Sequence, residues 1–123
     1  MPQLFEHFIK DKIFYLVQEY INGKTIHEKI KSEETFTEKE VRKILEDILQ
    51  ILEFIHRRNV IHRDIKPANL IERESDNKIC LIDFGAGKTI SNWIATRATI
   101  IGTNNYMPWE QVRGYPQPCS DIY

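Results

Sequence analysis

The sequence predicts an α+β fold, on three observations. A run rich in β-branched and aromatic residues, "KIFYLVQEY" (12–20), reads as a strand. A stretch of roughly 20 residues with apolar side chains at helical spacing follows it. Further on, the polar stretch "HRDIKPAN" (62–69) lies between the apolar pairs Val60-Ile61 and Leu70-Ile71. Charged side chains do not enter a buried strand unpaired. A short polar loop held between two buried strands is therefore expected there, a place where chemistry is often found.

Each element can be justified in order. Residues 12–20 are expected to form a buried strand, broken by Asn22-Gly23. Thr25 to about Lys31 then suits a short helix. In "TFTEKEVRKILEDILQILEFIHRRN", Thr37 and Glu40 have the spacing of a capping box. Val41, Ile44, Leu45, Ile48, Leu52 and Ile55 recur on one face of that helix and form its expected buried stripe. Leu70-Ile71 and "KICLID" (78–83) read as two strands joined by the turn residues "ESDNK". The remainder from Phe84 on has several Gly and Pro breaks and reads as a long ordered or switchable loop, of the kind that usually carries function. A helix start is expected at the end, with Ser120 or Asp121 near its cap.

Composition bounds the function. The 123 residues are enough for one domain or part of a larger one, and 41% hydrophobic with 28% charged residues is that of a soluble globular protein. A net charge of −1 gives no argument for a nucleic-acid or membrane partner. The start lacks the basic and apolar regions of a secretory signal, and no apolar run is long enough to span a membrane. Cys80 and Cys119 share no metal-type spacing with the four histidines and are expected to be reduced thiols in a cytoplasmic protein.

The chemistry lies in the order of the motifs. His62-Arg63-Asp64, Lys66, Pro67 and Asn69 match the pattern H-R-D-x-x-x-x-N, and Asp83-Phe84-Gly85 follows after a hairpin. Gly102-Thr103 and "YMPWE" come next, then Ser120-Asp121-Ile122-Tyr123. In these motifs and their order, the chain resembles the eukaryotic-type protein kinase family. "GTNNYMPWEQ" with "IDFGAGK" resembles bacterial, especially cyanobacterial-type, serine/threonine kinases. One departure is that "MPWEQ" replaces the family's A-P-E, so only Glu110 is matched.

The resemblance implies a two-lobed kinase fold, here incomplete. Residues 1–20 would be the end of the N-lobe sheet, 21–24 the hinge, and 25–123 the first part of the helical C-lobe. It implies ATP and Mg2+ as cofactors and a protein Ser or Thr hydroxyl as substrate, with no nucleic-acid partner. Asp64 would orient the hydroxyl and Lys66 would bind the γ-phosphate. Asn69 and Asp83 would be the magnesium ligands, since that hard cation takes oxygen donors. Glu19 and Ile21 would offer backbone groups to adenine, Ile71 would pack beneath the ring, and Gln18 would be the gatekeeper. His62 and Phe84 would be packing residues. Arg63 would pair with a phosphate on the downstream segment, with Thr96 and Thr99 the leading acceptors and Thr89 and Ser91 behind them. Thr103 would bond to Asp64 and Lys66. Glu110 would pair with an arginine later in the domain, and Asp121 would hold the backbone of the His62-Arg63 turn.

Two functions fit this sequence. One is ATP-dependent phosphorylation of protein Ser/Thr hydroxyls. The other is a catalytically inactive kinase-like fragment or regulatory binding module lacking the N-lobe. Asp64, Asn69 and Asp83 favour the first. No glycine-rich loop and no strand lysine paired with a helix glutamate precede the hinge, and the resemblance puts both upstream of Met1. Residues 1–123 alone are therefore expected to be inactive.

Overall fold

The computed structural model describes residues 1–33, 35–83, 88–89 and 102–123. The chain opens on an antiparallel hairpin of β1 (Leu4–Lys10) and β2 (Ile13–Gln18). Asp11 and Lys12 turn it with φ of 52° and 64°, the two left-handed residues that match the twist of a tight hairpin. Phe8 stacks on Tyr15 with ring centroids 5.1 Å apart. β1 was not anticipated, and β2 is not the buried strand expected from its composition. Ile13, Tyr15, Leu16 and Val17 are all exposed. The reason is geometric: among the described residues β2 pairs only with β1, and two strands cannot cover their own faces.

A second sheet orders β3 (Gly23–Thr25), β5 (Leu70–Arg73) and β6 (Ile79–Leu81), all antiparallel. Gly23 does more than end a strand. A Cβ there would lie 2.1 Å from the Glu72 carbonyl oxygen, so only glycine allows β3 to approach β5 this closely. The backbone carbonyl of Asn22 accepts from the Glu74 N–H at 3.0 Å, and the Asn22 amide donates to the Glu74 carboxylate at 2.8 Å. Arg73 and Asp76 close the turn between β5 and β6 with two hydrogen bonds of 2.9 and 2.7 Å.

Two helices pack near this sheet. α1 (Ile26–Lys31) begins at Thr25, whose side chain and Glu28 satisfy each other's backbone N–H groups. α2 (Glu38–His56) begins at Thr37 with the same reciprocal arrangement to Glu40, as the sequence predicts. The core joins Ile26, Leu52, Ile55, Leu70, Ile79 and Leu81, with Ile44, Ile48, Ile51, Val60 and Ile65 packed against it.

The buried stripe of α2 is narrower than expected. Leu52 and Ile55 are buried and Ile44 and Ile48 partly so, but Val41 and Leu45 are 52% and 53% exposed. The same turns do reach the sheet, since Ile44 packs on the core and Asp47 accepts the Ile79 N–H at 3.0 Å, so the sheet covers one edge of the stripe and leaves the edge with Val41 and Leu45 open.

The polar loop emerges from β4 (Val60–Ile61), which pairs with β7 (Lys88–Thr89). A 3-10 turn at Pro67–Asn69 leads into β5. Residues 102–123 are not one long loop: a 3-10 turn at Asn104–Tyr106, the short helix α3 (Trp109–Val112) and a 3-10 turn at Pro118–Asp121 occupy them. The last turn is capped by Gln117, three residues before the first of the caps expected, because Gln117 and Ser120 bond reciprocally. Phe84, Ser91, Thr96 and Thr99 lie outside the described residues. Cys80 is buried and Cys119 exposed, and both are free thiols. Among the described residues no helix is long and apolar enough to cross a membrane.

Candidate active site

The loop after β4 is held by a buried carboxylate. Asp121 accepts the backbone N–H of His62 at 2.8 Å on one oxygen and that of Arg63 at 2.7 Å on the other. His56, the last residue of α2, lies 2.8 Å from the same carboxylate. The end of the long helix, the polar loop and the turn at 118–121 thus meet at one side chain. Arg63 sits in the left-handed region at φ 70°, which reverses the chain just before Asp64.

His62 is fully buried. Burial pushes its pKa below the ordinary value, opposed by the Ile82 carbonyl and by the charges of Asp121, Asp64 and Asp83. The ring is therefore neutral, with Nε2 donating to the Ile82 carbonyl at 3.2 Å and Nδ1 accepting the Asp64 N–H at 3.3 Å. Arg63 is buried too, and desolvation lowers its pKa against the pull of Asp121. A guanidinium starts so high that it stays charged.

Asp64 is the centre of a cluster. The Lys66 ammonium lies 2.8 Å from Oδ2 of Asp64 and donates to the Thr103 hydroxyl at 2.7 Å. That hydroxyl donates in turn to Oδ1 of Asp64 at 2.7 Å. Asn69 donates its amide N–H groups to Oδ2 at 3.1 Å and to the Asp64 carbonyl at 2.8 Å. Burial alone would raise the Asp64 carboxyl. The bonds from Lys66, Thr103 and Asn69, with the Lys66 charge, outweigh burial and hold it below the usual carboxylate range. At neutral pH the group is an anion fixed in direction by three donors. The cluster was legible from the spacing of 64, 66 and 69, and Thr103 joins it from the far side of the sequence.

Asp83 is linked to this cluster through its neighbour. The Ile82 N–H donates to the Asn69 carbonyl at 2.9 Å, and the Ile82 carbonyl accepts from His62. Ile82 is therefore fixed on both sides, and the exposed Asp83 follows it at φ 62°. The donor set fits magnesium in kind. Asn69 commits its amide nitrogen to Asp64, so its oxygen is the atom suited to a cation, and Asp83 adds a carboxylate. Two protein oxygens match an ion that fills its other positions with phosphate and water.

The expected adenine contacts are set further off. The Glu19 N–H donates to the Gln3 carbonyl at 2.7 Å, leaving its carbonyl as the group a base could reach. Ile21 is buried, and Ile71 is half-buried in β5, paired with Thr25 on one side and Cys80 on the other.

With this geometry in place, comparison with other proteins is decisive. The protein kinase domain family matches residues 2–123, nearly the whole chain. The chain belongs to the protein kinase family. Serine/threonine-protein kinase B of Synechocystis sp. is 46% identical over 132 residues, which cover 100% of this chain and 23% of that protein. Serine/threonine-protein kinase PknA of Nostoc sp. is 43% identical over 129 residues, with the same coverage. Serine/threonine-protein kinase PknB of Mycobacterium tuberculosis is 35% identical over 113 residues, covering 89% of this chain and 18% of that protein. The bacterial, cyanobacterial-type resemblance read from residues 82–88 and 102–111 agrees with these relatives, and the family is one of transferases. The kinase chain spans about a quarter of the length of the cyanobacterial relatives.

Two polar residues of this kinase chain escaped the sequence reading. His56 is the fifth residue before Ile61, at the end of a helix read for its apolar periodicity, so nothing marked its ring as a partner for Asp121. Gln111 is 3% exposed and donates to the Arg63 carbonyl at 2.5 Å. A polar side chain inside "WEQV" next to the matched Glu110 was the available signal. Glu110 itself accepts from the Ser120 hydroxyl at 2.8 Å.

Proposed function

We propose that this chain carries the catalytic loop of a serine/threonine protein kinase, which transfers the γ-phosphoryl group of ATP to a protein hydroxyl. The observation that carries the reading is the Asp64 anion, held by Lys66, Thr103 and Asn69 on a loop anchored by Asp121. Phosphoryl transfer asks for positioning and charge neutralisation more than for a strong base. A carboxylate kept below its ordinary pKa is poorly suited to store a proton, but well suited to accept a hydrogen bond from a substrate hydroxyl and aim its oxygen.

Each residue then has a role. Asp64 orients the hydroxyl. Lys66, a compact positive charge, faces the γ-phosphate. Thr103 bridges the two and disposes the site toward Ser and Thr substrates. Asn69 and Asp83 would hold magnesium, which supplies charge neutralisation at the phosphates when bound. The backbone of Glu19 and Ile21 would receive adenine and Ile71 would support it. In this reading residues 1–20 end the N-lobe, 21–24 form the hinge and 25–123 begin the C-lobe. The cytoplasm, where ATP is supplied, suits the reaction.

The test is transfer of labelled phosphate from ATP with Mg2+ to a Ser/Thr substrate by the full-length kinase. Asp64→Ala is expected to abolish turnover while keeping ATP affinity, and Asp83→Ala to weaken Mg-ATP binding. Nucleotide binding without any transfer by the parent would support a regulatory binding module instead.

A further inference from the structure

We propose that Gln111 is a positioning residue for the catalytic turn: with Asp121 it clamps Arg63 in the left-handed bend that aims Asp64. This deepens the phosphoryl-transfer reading above and rests on it. A residue with a side chain disfavours positive φ, and Arg63 stands at 70°. Such a conformation persists only where the surroundings hold it, and here both backbone groups of Arg63 are held. Its N–H donates to Oδ1 of Asp121 at 2.7 Å, and its carbonyl accepts from the Gln111 amide at 2.5 Å. The N–H at the other end of the same peptide, that of Asp64, donates to His62 Nδ1. The peptide plane that carries Asp64 is thereby fixed at its oxygen and at its nitrogen.

Gly102 supports this assignment independently. At φ 134° it runs beside the clamp, and a Cβ there would lie 2.5 Å from the Gln111 amide nitrogen and 2.9 Å from the Arg63 carbonyl oxygen. Glycine leaves the space through which the Gln111 amide reaches the loop. The next residue, Thr103, bonds to the Asp64 carboxylate. The segment from 102 to 111 therefore grips the loop twice, at the Asp64 side chain through Thr103 and at the backbone before it through Gln111. If Gln111 only filled space, an apolar side chain of the same length would serve equally well.

The experiment uses the full-length kinase with Gln111→Met, which keeps length and loses the donor. We expect kcat to fall about tenfold or more, with the KM for ATP within about twofold and the melting temperature close to the parent's. Arg63→Gly makes the bend conformationally neutral. Gln111→Met should therefore cost less in that background than in the parent, a non-additive cycle. A kcat within about twofold of the parent, strictly additive effects, or a loss matched by an equal loss of folded protein would each overturn the proposal. If Gln111→Met does not fold, Gln111→Glu, which keeps the shape without an N–H, is read in the same way. A parent that transfers no phosphate rejects the kinase reading by itself. The clamp is then read by hydrogen exchange at the Arg63 and Asp64 amides: faster exchange in the variant supports it, and unchanged exchange overturns it.

Discussion

Asp64 owes its state to neighbours that can be removed one at a time. Thr103→Val deletes the hydroxyl that joins Lys66 to Asp64 while keeping the shape. Steady-state kinetics should show kcat lowered about tenfold to a hundredfold with the KM for ATP little changed, as for an interaction that positions the reacting groups. His62 gives a pH dependence whose sign follows from its burial. Its pKa in the fold is lowered, so the unfolded chain takes up a proton first as pH falls below about 6.5. The stability due to neutral His62 is fully present above that value and is lost as pH falls toward the folded pKa. Denaturant midpoints of the kinase between pH 7.5 and 5.5 should therefore drop more steeply for the parent than for His62→Gln. At this scale the sequence was informative where chemistry demands fixed spacing, as at Asp64, Lys66, Asn69 and Asp83. It was silent on His56 and Gln111, because hydrogen bonds across 65 and 48 residues leave no local pattern.

Helix starts were readable because their chemistry is local. Thr37 and Glu40 sit three apart in the sequence, and the bonds between them need nothing else. Thr37→Ala should lower stability by about 0.5–2 kcal/mol, measured as a shift in the denaturant midpoint, with little effect on turnover. β1 and the exposure of β2 were not readable, since composition marks a strand but not what lies on its faces. The stripe on α2 failed at Val41 and Leu45 for a related reason: periodicity defines a face, and what packs on each edge of that face decides how much of it is covered, here the edge of Ile44 and Asp47 but not that of Val41 and Leu45. Gly23 belongs to this scale too. Gly23→Ala places a methyl against the Glu72 carbonyl, so β3 must move off β5. The expected outcome is a lower melting temperature together with a raised KM for ATP, because Gly23 adjoins the backbone assigned to adenine.

The molecule as a whole keeps its order unevenly. Polar contacts converge on Asp64 and Asp121, while Phe5, Ile9, Ile13, Val41, Leu45 and Trp109 expose apolar surface. Surface of that extent associates. Residues 1–123 in isolation should elute from size exclusion as concentration-dependent assemblies, and Ile9→Lys with Leu45→Glu should shift them toward monomer. The doubly bonded contact between Asn22 and Glu74 has a different consequence. The turn after β5 is exposed and rich in Ser, Asp and Asn, the kind of place where proteins usually accept added residues without harm. Here the turn is also the footing of the passage at 21–24 that leads from β2 into β3. Lengthening it by even a few residues would move that passage relative to the catalytic loop, so a position with every outward mark of evolutionary freedom is one where insertions should be rejected.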